Sequence, residues 1–245
     1  MKLQSDKLIA WLGDCLSLTR LALRLQMGRR FWLGPLLTLA WPLFHGIRLR
    51  VGQNVQGFTE AHAQNTLIGL PLVVLAIGLG VRIIAGEIEQ RTLEVTYTVP
   101  GGAQRVWIAK LSAAMVPLLL AEGLLAAITA IFFTSYPLSA LYGALQGAVF
   151  YLVLAMALGA LFRSEIAAML AGGVILFLNG LVTNAFGNNT NRISPLFNPL
   201  ALDNADVAEV LAWTVQNRIG VALAIVALAV LAFARAERRE RLLGD

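Results

Sequence analysis

Six apolar segments, each close to the length that crosses a lipid bilayer as a helix, occupy most of this chain. Such runs constrain the fold strongly, because about 20 apolar residues span the hydrocarbon core and an α-helix satisfies its own backbone there. The 245 residues are 58% hydrophobic and 13% charged, with a mean hydropathy of +0.73, outside the usual range of soluble domains. We therefore predict one all-α transmembrane domain over residues 1–245, with six spans at 31–47, 66–85, 106–133, 138–162, 166–186 and 219–234.

Basic residues fall mainly on one side of the predicted membrane. With the spans placed as above, only four of the 19 Lys and Arg residues lie on the other side: Arg48, Arg50, Arg192 and Arg218. Basic residues concentrate in the cytoplasmic loops of membrane proteins, so this asymmetry predicts that both termini are cytoplasmic. The same bias explains the net charge of +5 without a nucleic-acid partner. We expect a multi-pass protein of the bacterial cytoplasmic (inner) membrane, in contact with the lipid bilayer.

The N-terminal region has the pattern of a helix that lies in the membrane interface. Residues 5–27 carry small and polar residues at helical spacing along one stripe, with leucines over much of the remaining surface. A transmembrane span here would bury Asp14, Arg20 and Arg24. We therefore predict an amphipathic interfacial helix, retained at the N-terminus.

Two further features qualify the span assignment. Pro35 and Pro42 predict that the first span is bent, because proline removes a helical hydrogen bond. Residues 187–217 form a polar insertion on the predicted outer side. Within it, the spacing of Asp206 and Glu209 resembles a capping box, which predicts a short amphipathic helix at the outer surface before the sixth span.

A highly charged polar interruption lies at residues 86–105, between the second and third spans on the predicted cytoplasmic side. A dense group of charges requires water here, while Leu93, Val95 and Tyr97 supply apolar side chains suited to a protein contact. A solvated loop that contacts nothing is the plain alternative. The charged residues of the loop and its flanks are Glu87, Glu89, Arg91, Glu94, Arg105 and Lys110.

This stretch resembles the cytoplasmic loop of type-2 ATP-binding-cassette transporter permeases. The resemblance rests on Thr-Leu-Glu at 92–94, on Pro100 near the loop tip and on Lys110 in the next span. The order of an interfacial helix, six spans and a helical insertion before the sixth is also similar to that family. Arg91 and Ala109 depart from the pattern, since the family usually has glycine there.

The resemblance implies a type-2 exporter-like permease fold and a specific assembly. Such a permease pairs with a second copy or a paralogue and couples to two separate ATPase subunits, which carry ATP and Mg²⁺. Export is the expected direction. The residues that the resemblance implies for ATPase coupling are Glu87, Glu89, Arg91, Thr92, Leu93, Glu94, Pro100 and Lys110.

We expect the chain itself to hold no cofactor and no catalytic residue. A phosphate-binding G-x-x-x-x-G-K-[ST] motif is absent from the sequence, so ATP hydrolysis is expected on another polypeptide. His45 and His62 lie far apart without ligand spacing, and Cys15 is the one cysteine, so no metal site is expected.

Polar residues inside the predicted spans are candidates for a translocation path. Glu122 lies near the middle of the third span, where a carboxylate needs a partner or a proton, and both a transport role and a structural hydrogen bond stay open. Arg82, Asn179 and Thr183 are the other candidates. The alternatives are contact with lipid headgroups or with the acidic loop for Arg82, and interhelical hydrogen bonds for Asn179 and Thr183. The competing functions are an intramembrane enzyme that uses Glu122 and an ATP-linked membrane scaffold or signalling protein without transport.

Overall fold

Every regular element in the described part of the chain is helical. The computed structural model describes residues 21, 23, 28, 31–52, 57–92, 103–186, 192–202 and 206–237. The helices are α1 Leu33–Thr38, α2 Ala40–Arg50, α3 Glu60–Glu89, α4 Ala103–Phe132, α5 Leu138–Phe162, α6 Glu165–Phe186 and α7 Val207–Ala236, with a 3₁₀ turn at Pro199–Ala201. The predicted interfacial helix at 5–27 lies outside the described residues, apart from positions 21 and 23, and so does the loop tip with Leu93, Glu94 and Pro100.

Five helices, α3 to α7, are long and apolar enough to cross a membrane. They correspond to predicted spans two to six. Only 11% of the most apolar window of α6 and 17% of that of α7 is buried inside the protein, so their remaining apolar surface suits lipid. The prediction of an all-helical fold is confirmed for the described residues, and the five apolar helices are consistent with a multi-pass membrane protein.

The first predicted span consists of two short helices that meet at Leu39. Pro42 has no N–H to give to the carbonyl of Thr38, so the regular hydrogen-bond ladder is interrupted there. The Thr38 hydroxyl donates instead to the Pro35 carbonyl at 2.6 Å. The hydrogen-bond ladder is thus interrupted where the bend was predicted, and neither helix alone has the length of a span.

The end of the chain differs from the prediction in one respect. The short outer helix and the sixth span are a single helix, α7, of 30 residues. The polar residues between them contain no proline, and Asn217 places its side-chain amide on backbone carbonyls outside the helix. Asp206 is the N-cap residue, yet its side chain makes no capping hydrogen bond, so the predicted capping box does not form.

A π-helical segment lies near the start of α3 and forms a hydrogen bond with α2. Residues Ala63–Gly69 are wound more widely than an α-helix, and the Leu70 N–H bonds to the Asn65 carbonyl five residues back. Pro71 cannot continue this pattern because it lacks an N–H. The carbonyl it would have reached, that of Thr66, accepts the indole N–H of Trp41 at 2.8 Å.

The core lies between α3 and α5, which pack together more extensively than any other described pair. Small residues permit this approach: a Cβ on Gly80 would collide with the Leu152 carbonyl, and one on Gly159 would lie 3.3 Å from Ala85 Cβ. Gly172 of α6 packs on Ile77 in the same way. Small residues thus let the backbones of these helices approach closely.

Candidate functional site

The loop at 86–105 is fixed at its base by a buried ion pair. Glu87, near the end of α3, accepts a hydrogen bond from Lys110 Nζ at 2.6 Å and another from Trp107 Nε1 at 3.1 Å. Glu87 is 5% exposed and Lys110 9% exposed. We call Glu87, Trp107 and Lys110 the loop anchor, and the end of the bundle where they lie the loop end.

The sequence folds into this cluster because of helical register. Trp107 and Lys110 are three residues apart in the second turn of α4, so their side chains lie on one face. Both face the last turn of α3, where Glu87 is the buried acid. The carboxylate therefore receives one charged and one neutral donor, which offsets the cost of burying it.

Arg91 ends α3 in a left-handed conformation. Its φ is 57°, and the hydrogen bonds Arg91 N–H to Ile88 O and Thr92 N–H to Glu87 O form a Schellman motif. Glycine is the residue that adopts this conformation without steric cost. The glycine that the family pattern has in place of Arg91 therefore fits the backbone found here, and arginine occupies it under strain.

A second group of contacts joins α3 to the start of α6. Glu89 Oε1 accepts the Glu165 backbone N–H at 2.8 Å, which satisfies one of the free donors at the N-terminus of α6. Arg82 Nε lies 3.8 Å from Glu165 Oε2. Arg82 was predicted to contact the acidic 86–105 loop as one alternative. It does lie beside an acidic side chain, but that side chain is Glu165, at the start of α6.

The last helix also reaches the loop end. Trp107 stacks on Phe233 of α7, with ring centroids 5.9 Å apart and planes 18° from parallel. Gln104 donates a hydrogen bond to Glu237, just after α7. The first two turns of α4 therefore contact both α3 and α7 through side chains.

These contacts divide the predicted coupling residues into two groups. Glu87 and Lys110 are internal and have each other as partners, so they hold the loop instead of presenting charge to another protein. Glu89, Arg91 and Thr92 are exposed. Sequence reasoning missed Trp107, Glu165 and Phe233, although an indole one turn before Lys110 and an acid at a helix start were available signals.

Glu122 is the twentieth of the 30 residues of α4 and is 8% exposed. No other described residue forms a hydrogen bond with its carboxyl group. Burial and, to a smaller extent, the charge of Glu122 raise the pKa of Tyr136, which lies in the turn after α4. The Tyr136 hydroxyl donates to the Ala126 carbonyl at 2.7 Å. The structural hydrogen bond considered for Glu122 is thus not found among the described residues.

Asn179 and Thr183 form local polar contacts at the far end of the bundle. Asn179 exchanges hydrogen bonds with Ser194 Oγ, at 3.0 and 3.1 Å. Thr183 donates to the Asn179 and Gly180 carbonyls of its own helix. Neither residue forms the hydrogen bond to another helix that was considered for it. Asn179 bonds to the 192–202 segment, and Thr183 bonds to the backbone of its own helix.

A groove of about 610 Å³ runs along the outside of α3. α1 and α2 form one wall, α3 forms the floor, and Met169 of α6 closes one side. Arg82 lies nearest the loop end and Trp41 lines the opposite part. The groove is mainly apolar and runs along a helix that fits a membrane, so an amphipathic or apolar molecule suits it.

The described residues contain no group of three or more His, Cys, Asp or Glu side chains that could hold a metal ion. No protein-family model, curated protein or solved structure matches the chain. The described residues form an all-helical fold whose five long apolar helices are consistent with a multi-pass membrane protein.

Proposed function

We propose that the chain is the membrane-spanning permease subunit of an ATP-driven transporter of the type-2 ATP-binding-cassette class, and that it exports its substrate. It dimerises, with itself or a paralogue, and receives movement from separate ATPase subunits that bind the 86–105 loop. The ATPase subunits hold the ATP and Mg²⁺. The cytoplasmic face is the loop end, in line with the distribution of basic residues.

The observation that carries this proposal is that contacts at the loop end join the two helices that flank the loop to two further helices. The loop anchor joins α3 to α4, the Trp107 to Phe233 stack adds α7, and the Glu89 contact adds α6. A partner that displaces this loop therefore displaces four helices together. Transmission of rigid-body motion through packed elements is what a transporter driven by a soluble ATPase requires.

The groove beside α3 supports the same proposal. In the family that the sequence resembles, spans two and five of the two protomers face the pathway, and here α3 and Met169 of α6 line the groove. Arg82 places positive charge at its loop end. We propose that the groove is part of the substrate route and that it takes an amphipathic substrate.

Reconstitution with a candidate ATP-binding-cassette ATPase from the same organism tests the proposal. The expected result is a stable complex in which the permease stimulates ATP hydrolysis in liposomes. The proposal fails if the two proteins neither form a complex nor change the rate of hydrolysis. Stimulated hydrolysis without movement of any solute across the liposome membrane would favour the scaffold function instead.

A charge reversal in the loop, with a matched control, identifies the coupling element. Glu94→Lys is expected to lower ATPase stimulation by about tenfold or more, because a charged contact at an interface contributes a few kcal/mol. Glu209→Lys makes the same change on an exposed residue at the opposite end of α7 and is expected to have no effect. Equal effects of the two variants would show that the drive enters elsewhere.

A further inference from the structure

A second cavity, of about 660 Å³, lies at the far end of the bundle, away from the groove and the loop anchor. It is bounded by the segment at 192–195, by α7 and by Phe150 of α5. None of the residues considered for coupling or translocation lines it. Gly220 is exposed at its surface, so the cavity is open to the surroundings of α7.

One part of this cavity is polar and firmly built. Arg192, Gln216 and Asn217 line it. Asn217 is 5% exposed, and its amide group donates to the Arg192 and Ser194 carbonyls at 2.7 and 2.9 Å. The Arg192 guanidinium lies 3.6 Å from the centre of the Trp213 ring. Backbone and side chain of Arg192 are therefore both held in place.

The other part of the cavity is apolar and follows α7 towards the middle of the membrane. Phe150, Val221 and Ala224 line it together with Gly220. Asn217 and Ala224 are seven residues apart on one helix, about 10 Å along its axis at about 1.5 Å per residue. A Cβ on Gly220 would have no neighbour within 4 Å, so this position is open space.

We propose that this cavity binds one phospholipid of the surrounding leaflet, with the phosphate on Arg192 and the start of an acyl chain along Gly220 and Ala224. Three features support this occupant. A positive group lies at one end, an apolar channel at the other, and the separation fits the step from headgroup to hydrocarbon. Arginine bonds phosphate oxygens through a planar fork of donors, and an indole ring suits the membrane interface.

Native mass spectrometry of the full chain in mild detergent tests this site. The probes are phosphatidylglycerol and a diacylglycerol with the same chains. We expect phosphatidylglycerol to bind more tightly than diacylglycerol. Arg192→Gln is expected to weaken phosphatidylglycerol binding by about tenfold, the effect of losing one charge-assisted contact. Gly220→Leu is expected to weaken both lipids, because the new side chain fills the apolar part.

Gly123→Leu is the matched control, since Gly123 is exposed on α4 and a Cβ there also has no neighbour within 4 Å. It should leave binding unchanged. Equal binding of the two lipids, or normal phosphatidylglycerol binding by Arg192→Gln, overturns the site even if Gly220→Leu fails to fold. Competition by millimolar inorganic phosphate would assign the cavity to a free anion and also overturn the lipid proposal.

Discussion

A buried charge at the loop end is stable only while its partner is present. Glu87→Gln removes the counter-charge of Lys110, which is 9% exposed. Loss of one member of a buried ion pair costs about 3–5 kcal/mol, so we expect a drop of that size in the free energy of unfolding. Denaturant unfolding in detergent measures it.

The double variant Glu87→Gln with Lys110→Met is the control for this prediction. The glutamine oxygen still accepts the Trp107 N–H, and no unpaired ammonium remains. Since neutral replacement of a buried pair is often tolerated, most of the lost stability should return. If the double variant is as unstable as the single one, charge pairing is not what holds the loop anchor.

Replacement of Arg91 is expected to raise the free energy of unfolding, whereas replacement of Glu87 lowers it. The φ of 57° at Arg91 costs a non-glycine residue about 1 kcal/mol, so Arg91→Gly should raise the free energy of unfolding by roughly that amount. Gln90→Gly is the neighbouring control: Gln90 has a φ of −80°, and glycine there should destabilise the end of α3. Thermal unfolding measures the change in stability of both variants. Equal changes would show that Arg91 is not strained.

The Glu122→Gln variant distinguishes a structural role of this residue from a functional one. Because the described structure gives its carboxyl group no hydrogen bond, Glu122→Gln should change the free energy of unfolding by less than about 1 kcal/mol. A larger loss would show that the group has a structural partner. Normal stability with lost transport in the reconstituted system would assign it a functional role, and lost turnover without any ATPase would favour the intramembrane enzyme.

Side-chain partners are what the sequence could predict least at this scale. Charge density pointed to Glu87 and Lys110 as important residues, but their burial depends on how closely α3 and α4 approach each other. A hydrophobicity pattern does not contain that distance. The left-handed conformation of Arg91 had one signal in the sequence: the type-2 permeases that the loop resembles usually have glycine at this position.

Close helix packing makes two glycines of one helix respond differently to the same change. Gly80→Ala places a methyl group on the Leu152 carbonyl and should destabilise the protein by about 1–3 kcal/mol, because the backbone of α5 cannot move aside cheaply. Gly78→Ala meets nothing within 4 Å and should be neutral or stabilising through its better helix propensity. Unfolding in detergent measures both, and similar losses would contradict the described contact between α3 and α5.

Hydrophobic runs predicted the long helices well, since α3 to α7 cover the runs assigned to spans two to six. The ends and irregular turns of these helices were harder to predict from the sequence. The π-helical turn at Ala63–Gly69 depends on the missing N–H of Pro71 together with the indole of Trp41, 25 residues away. The continuity of α7 depends on contacts that accept the polar side chain of Asn217. Both are tertiary effects.

The whole molecule has two differently built ends. At the loop end, charged side chains join the ends of helices, whereas at the far end amides hold the 192–202 segment: Gln64 donates to the Phe197 carbonyl at 2.9 Å, and Asn198 to the Ala61 carbonyl at 2.9 Å. An amide network resists rearrangement because its members restrain one another. This asymmetry suits a protein that is moved from the loop end.

Orientation in the membrane is the property on which this interpretation depends. The chain has one cysteine, so Cys15→Ser gives a background for single cysteines at exposed positions. Replacements of Glu60 and Glu209 should react with a membrane-impermeant maleimide in intact cells, because these residues lie at the far end. Replacements of Gln90 and Arg105, at the loop end, should react only after permeabilisation. The reverse pattern would place the loop outside the cell, away from ATP, and would exclude an ATPase as its partner.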